Sequence, residues 1–200
     1  TTLRQSLALL SGKSGYRARK GICTDCNGVY YGTVKAKKGQ EHVVFQNAPE
    51  LGKREIEARE HLIEKALLFP VAKGREVSAF AWEYGNVYCV LPQTGMDAYP
   101  EVSMRNEYPR AFDFFGEYRR ELEMRASYRR YQAKRGSPFY SCWNVGSYTF
   151  APYKVAWREI AGRFGACVLS NIRVPYWTEP RVVVPDHKLY FIPLEDEMEA

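Results

Sequence analysis

The chain has 200 residues, 46% hydrophobic and 26% charged, with 29 Lys and Arg against 23 Asp and Glu, a net charge of +6 and a pI near 9.0. These are the proportions of a soluble globular chain long enough to bury a core, and they read as one domain over 1–200. No apolar run approaches the roughly 18–20 residues of a membrane span, and no signal-type apolar region opens the sequence. Five cysteines, an odd count without framework spacing, fit reduced thiols and a cytoplasmic location. The basic excess permits a polyanionic partner, but an ordinary basic protein has it too.

Taken in chain order, 1–14 reads as a polar lead-in with an apolar patch at Leu7–Leu10. Val29–Val34 and His42–Phe45 alternate like strands around a basic loop, Lys35 to Gln40, which predicts a hairpin. Arg54 to Leu68 carries Ile56, Ile63 and Leu67 near helical spacing, and Pro70 ends it. Lys73-Gly74-Arg75 is a basic turn, and Gly85-Asn86 turns Val77–Trp82 back into Val87–Leu91 as a second hairpin. Ala111 to Arg135 is the longest helical candidate, with Tyr118, Leu122 and Ala126 on one stripe and Met124, Tyr128 and Tyr131 roughly opposite. Its many arginines read as solvent-facing or structural, and Gly136-Ser137-Pro138 stops it. A helix apolar on two sides packs between layers or joins two lobes, here 1–110 and 136–200. The remainder is strand-rich, at Tyr148–Phe150, Tyr153–Trp157, Ala166–Ser170, Arg181–Val184 and Leu189–Ile192. The whole predicts α+β with largely antiparallel, twisted sheets.

Few residues carry reaction chemistry. Cys23-Thr24-Asp25-Cys26 has zinc-knuckle spacing but lacks two further spaced ligands. Pro185-Asp186-His187-Lys188 admits a metal-dependent nuclease built on Asp186 and Lys188. Only Glu159 and Glu179 could add a carboxylate, and a strand-to-strand turn reads better. What remains is recognition chemistry. Arg17, Arg19 and Lys20 cluster ahead of Asn27-Gly28; Arg can pair bidentately with guanine and Asn with adenine. Lys73 and Arg75 flank a glycine that allows close backbone approach to a phosphate. On a strand, Lys154, Ala156 and Arg158 share one face and Tyr153, Val155 and Trp157 the other, which predicts a basic face over a buried aromatic one. The plain alternative is solvated surface for the Arg17–Lys20 and Lys154/Arg158 clusters, and a hairpin turn for Lys73 and Arg75.

Several ordered landmarks resemble the C-terminal target recognition region of N6-adenine DNA methyltransferases from restriction–modification and phage-defence systems. They are Tyr16-Arg17-Ala18-Arg19-Lys20-Gly21, Cys26-Asn27-Gly28-Val29, Leu68 to Val77, Pro138 to Phe150, Ala151-Pro152-Tyr153-Lys154-Val155-Ala156-Trp157-Arg158 and Val182 to Pro193. Cys26 stands where the family has a small residue, and Lys73 and Glu76 where it has Arg and Asp. The resemblance implies recognition of double-stranded DNA, for which Arg17, Arg19, Lys20, Asn27, Lys73, Arg75, Lys154 and Arg158 are the candidate residues. It also implies a piece of a larger enzyme, whose catalytic methyltransferase domain on the same polypeptide holds S-adenosylmethionine. The Asn/Asp-Pro-Pro-aromatic motif of that chemistry is not in this sequence; Ser137-Pro138-Phe139-Tyr140 is its nearest mimic and reads as a helix-stopping turn. No cofactor or metal is expected within the chain. A protein–protein module using helix 111–135 as its interface is a third reading.

Overall fold

In the computed structural model, which describes Gln5 and residues 14–199, strand alternation builds two sheets. The larger contains β2 (Tyr31–Lys38), β3 (His42–Asn47), β4 (Glu60–Glu64), β5 (Leu68–Ala72), β6 (Tyr88–Val90) and β9 (Val184–Pro185), in the order β4-β3-β2-β6-β5-β9. All its pairings are antiparallel except β5 with β9. The smaller is antiparallel throughout, in the order β1-β10-β7-β8, with β1 (Arg19–Lys20), β7 (Tyr153–Arg158), β8 (Ala166–Leu169) and β10 (Leu189–Leu194). The fold class is α+β, and the Leu7–Leu10 patch lies outside the described residues.

Helices cover the larger sheet. A single turn, α1 (Asn27–Tyr30), leads into β2, and α2 (Glu101–Glu107), α3 (Pro109–Glu117) and α4 (Arg119–Glu123) follow β6. In α3, Ala111, Phe112, Phe114 and Phe115 are buried while Arg110, Asp113 and Glu117 stay outside, the stripe expected of a helix on a sheet. Phe114 meets Phe45 and His61 edge-on at 5.9 and 4.8 Å. The α3 N-terminus is anchored from β4: the buried Glu64 carboxylate accepts from the N–H groups of Arg110 (2.9 Å) and Ala111 (2.8 Å). A carboxylate there satisfies orphan donors and opposes the positive end of the helix dipole.

The segment predicted as one helix over 111–135 is helical in pieces. After α4 come a π-turn at Tyr128–Gln132 and a 3-10 turn at Ala133–Arg135, closed by Gly136 at φ +70°. The break falls where Arg125 turns fully inward. Its guanidinium donates to the carbonyls of Leu122 (2.8 Å), Thr24 (2.8 Å) and Ser141 (2.9 Å), and to Phe139. It has thereby a structural role, tying the helical segment to the loops that follow β1 and precede β7.

Three further expectations change. The helical spacing at 54–68 gives instead an irregular stretch, β4 and a 3-10 turn at Lys65–Leu67. Pairing with β3 (Val43 opposite Ile63, Phe45 opposite His61) overrides local propensity there. The second hairpin is β5–β6, with 73–87 as an excursion, and Tyr148–Phe150 lies in a 3-10 turn rather than a strand. The two sheets interleave the chain: β1 sits in the sheet of the C-terminal strands, and β9 in that of the N-terminal ones.

Candidate functional site

The two sheets are joined where two segments cross side by side. Gly21 N–H donates to Leu189 O (2.9 Å), Ile22 N–H to Pro185 O (2.8 Å), and Asp186 N–H to Ala72 O (2.8 Å). Gly21 is needed for this approach, since a Cβ there would stand 2.1 Å from the backbone oxygen of Asp186. At the crossing, Asp186 makes a turn of the kind its sequence suggests. Its buried carboxylate accepts from Tyr31 Oη (2.8 Å), His187 Nδ1 (3.0 Å) and Lys188 N–H (2.9 Å). Burial pushes this carboxyl up, but the bonds from His187, Lys188 and Tyr31 outweigh that and hold it below the usual carboxylate range.

Around the crossing lies an open concavity of about 470 Å³ lined by Asn27, Lys73, Arg75, Arg158, Ile160 and the Asp186–Lys188 turn, among others. A second, of about 600 Å³, shares Asn27, Leu51, His187 and Lys188 with it and adds Lys53 and Arg54. The two form one basic furrow. Arg75 and Lys188 are exposed. Arg158 is steadied by donating from Nε to Val77 O (2.6 Å). Thr24 Oγ1 donates to Asn27 Oδ1 (2.6 Å), and Asn27 Nδ2 has no protein partner among the described residues. Lys20 bonds Glu159, whose other carboxylate oxygen is 3.6 Å from Lys188 Nζ, so Glu159 links these two cations beside the furrow. The Glu159 bond raises the Lys20 pKa, and the Lys20 bond in turn lowers that of Glu159.

Of the predicted residues, Asn27, Lys73, Arg75 and Arg158 line the furrow and Lys20 adjoins it. Two face elsewhere or are occupied. Arg19, one position along β1 from Lys20, projects to the opposite side and stacks on Tyr148 at 4.4 Å, beside a separate cavity. Lys73 is buried and paired with Glu76 at 3.1 Å. Arg17 is exposed.

Lys154 corrects the expected basic face. The face of β7 that carries Lys154 and Ala156 is the inward one; both are buried, and Phe191 of β10 sits opposite Ala156. Lys154 Nζ donates to Ala151 O. Burial pushes its pKa down to about 7, with Glu195 opposing more weakly. On the outward face, Trp157 stacks on Tyr190 at 6.2 Å. Sequence reasoning did not assign His187, Lys53 or Arg54 to the surface and considered Lys188 only as a nuclease residue. Their signal is a charged pair inside a turn between two apolar strands.

The chain aligns over 195 residues, 98% of its length, at 27% identity with the type II methyltransferase M.NspV of a Nostoc species. It is similar to part of a methyltransferase. The alignment spans 35% of that relative, so the chain covers about a third of its length. No family model matches the chain.

The furrow offers cationic and amide donors. Both Asp186 oxygens are held by the turn, and Glu159 is held by lysines. Among the described residues, no group of three or more His, Cys, Asp or Glu is placed to hold a metal ion, and Cys23 Sγ contacts Asp25. Phe139 and Tyr140, in the motif-like turn, are core residues, with Tyr140 stacked on Phe115 at 5.5 Å. No helix among the described residues is long and apolar enough to cross a membrane.

Proposed function

We propose that this chain is the target recognition domain of an adenine-N6 DNA methyltransferase, gripping double-stranded DNA in the furrow at the sheet crossing. The observation that carries this reading is the convergence of Asn27, Arg75, Arg158 and Lys188, remote in sequence, on one open concavity. Arg and Asn forks suit base edges, while Lys188, Lys20 and Lys53 suit phosphates. The similarity to M.NspV and the ordered sequence landmarks support it from a second direction.

On this reading the methyl transfer and S-adenosylmethionine belong to a catalytic domain of the same polypeptide, and this chain orients the duplex so that the adenine can be extruded there. Arg75 and Arg158 are the candidates for base contact; Arg17 and Arg19 would meet only DNA that extends beyond the furrow.

Selection of duplexes from a random pool by the chain, followed by titrations over a range of salt, tests this. Lys188→Ala should weaken all duplexes alike and lower the salt slope by about one unit. Arg75→Ala should cost about 1–3 kcal/mol on the selected duplex and much less on random DNA. Failure of the chain to bind or enrich any duplex would reject the reading.

A further inference from the structure

Three large apolar side chains stand in solvent, Phe80 at 89% exposed, Ile160 at 84% and Phe164 at 77%, and Ile160 lines the furrow. Scattered exposed apolar residues need no explanation, but three on two adjoining loops do. The loops are fixed at their bases. Val77 and Trp82 form an antiparallel bridge, and Ser78 N–H donates to Ala81 O (2.8 Å), closing a tight turn. Phe80 N–H donates to Ala166 O (2.7 Å), which docks that turn on the first residue of β8, where the loop carrying Ile160 and Phe164 ends. Arg158, from the same strand end, reaches Val77 O.

Phe80 itself adopts φ +62°, a left-handed conformation unfavourable to an aromatic residue, and the strain places its ring in water, where it adds nothing to the core. The apolar tips also have a basic border. Arg158, Arg75 and Ile160 line one concavity, and Arg163 is exposed between the two β7–β8 tips. A protein-binding patch needs no cationic border, whereas a duplex requires cations for its phosphates and can accept an apolar side chain between unstacked bases.

The geometry points to Phe80 and Phe164 as an apolar wedge that enters a base step of duplex DNA lying in the furrow and unstacks it; this rests on the furrow's being a duplex site. Lys188 and Lys20 would hold the backbone, and Arg75 and Arg158 the neighbouring base edges, while the rings enter the stack.

The test uses the duplex the chain selects, substituted with 2-aminopurine at successive positions, with fluorescence read alongside binding. Wild type should brighten the probe at one step. The double variant Phe80→Ala/Phe164→Ala should lose that signal, keep its salt slope and bind roughly tenfold more weakly. Phe80→Gly relieves the left-handed strain, so it should raise the thermal midpoint while reducing the signal, a pair of effects that misfolding cannot produce. Binding by wild type with no brightening at any step, or with brightening unchanged in the double variant, overturns the wedge alone. If the double variant binds duplex normally but loses self-association seen in wild type, the patch is a protein contact and the wedge is overturned. No duplex binding by wild type overturns the furrow reading, and the wedge with it.

Discussion

Replacing Lys154 by Met should stabilise the protein at neutral pH, whereas loss of a lysine on an exposed face would change stability by no more than about 0.5 kcal/mol. The ammonium is buried and has one carbonyl partner and no acid in contact, and its pKa falls from 10.5 to about 7. The folded-state pKa lies below the unfolded one, so between about pH 7 and pH 10.5 the unfolded chain binds more protons. Stability therefore rises with pH across that window, by up to about 1.4 kcal/mol per unit, and the burial penalty is constant below it. The whole shift corresponds to roughly 4–5 kcal/mol. Methionine keeps the length and packing of the stem without the charge, losing about 1 kcal/mol for the Ala151 bond. Urea unfolding at several pH values should thus find Lys154→Met more stable by about 2–4 kcal/mol near pH 7, with the difference vanishing by about pH 10. Parallel pH–stability curves for the two proteins over that range would show that Lys154 stays charged in the fold and would refute the argument.

Arg125→Met should destabilise by about 3–5 kcal/mol in denaturant titration, because four buried carbonyls lose their donor together. Gly21→Ala should cost more than about 2 kcal/mol and weaken duplex binding, since the added carbon drives apart the two backbones that carry the furrow. The depressed Asp186 carboxyl adds stability that is complete above its unfolded pKa and is lost as pH falls through the folded one. Asp186→Asn should therefore lower neutral stability and flatten the acid side of the thermal-midpoint profile.

Local pattern was legible where local pattern decides. Alternation located β2, β3, β7, β8 and β10, and the helix predicted over 111–135 overlaps α3 and α4. Alternation on β7 separated the two faces correctly, but the face it suggested was buried is the outward one. Lys154 and Ala156 look like the wet face, yet Ala156 leaves the room that Phe191 fills, and the Trp157–Tyr190 stack covers the outside. At 54–68, helical spacing lost to a strand whose partner lies earlier in the chain. Of the site, individual cations were visible, but which of them share a surface depends on topology. Arg19 and Lys20 are adjacent in sequence and face opposite sides, whereas Asn27 and Lys188 meet only because the sheets are joined between them.

The side-by-side crossing also constrains the order of events in folding. Residues 19–22 pair with 185–191, so the first described strand must wait until β9 and β10 have been synthesised. The loop to be closed is nearly the whole chain, and its entropy is lost before the contacts that repay it form. The β2–β3–β4 hairpins and α3 can assemble early, but β7 and β8 would meanwhile expose an unpaired edge, a hazard for wrong pairing. Closure of the crossing is therefore the expected slow step of refolding, and the furrow should appear only with it.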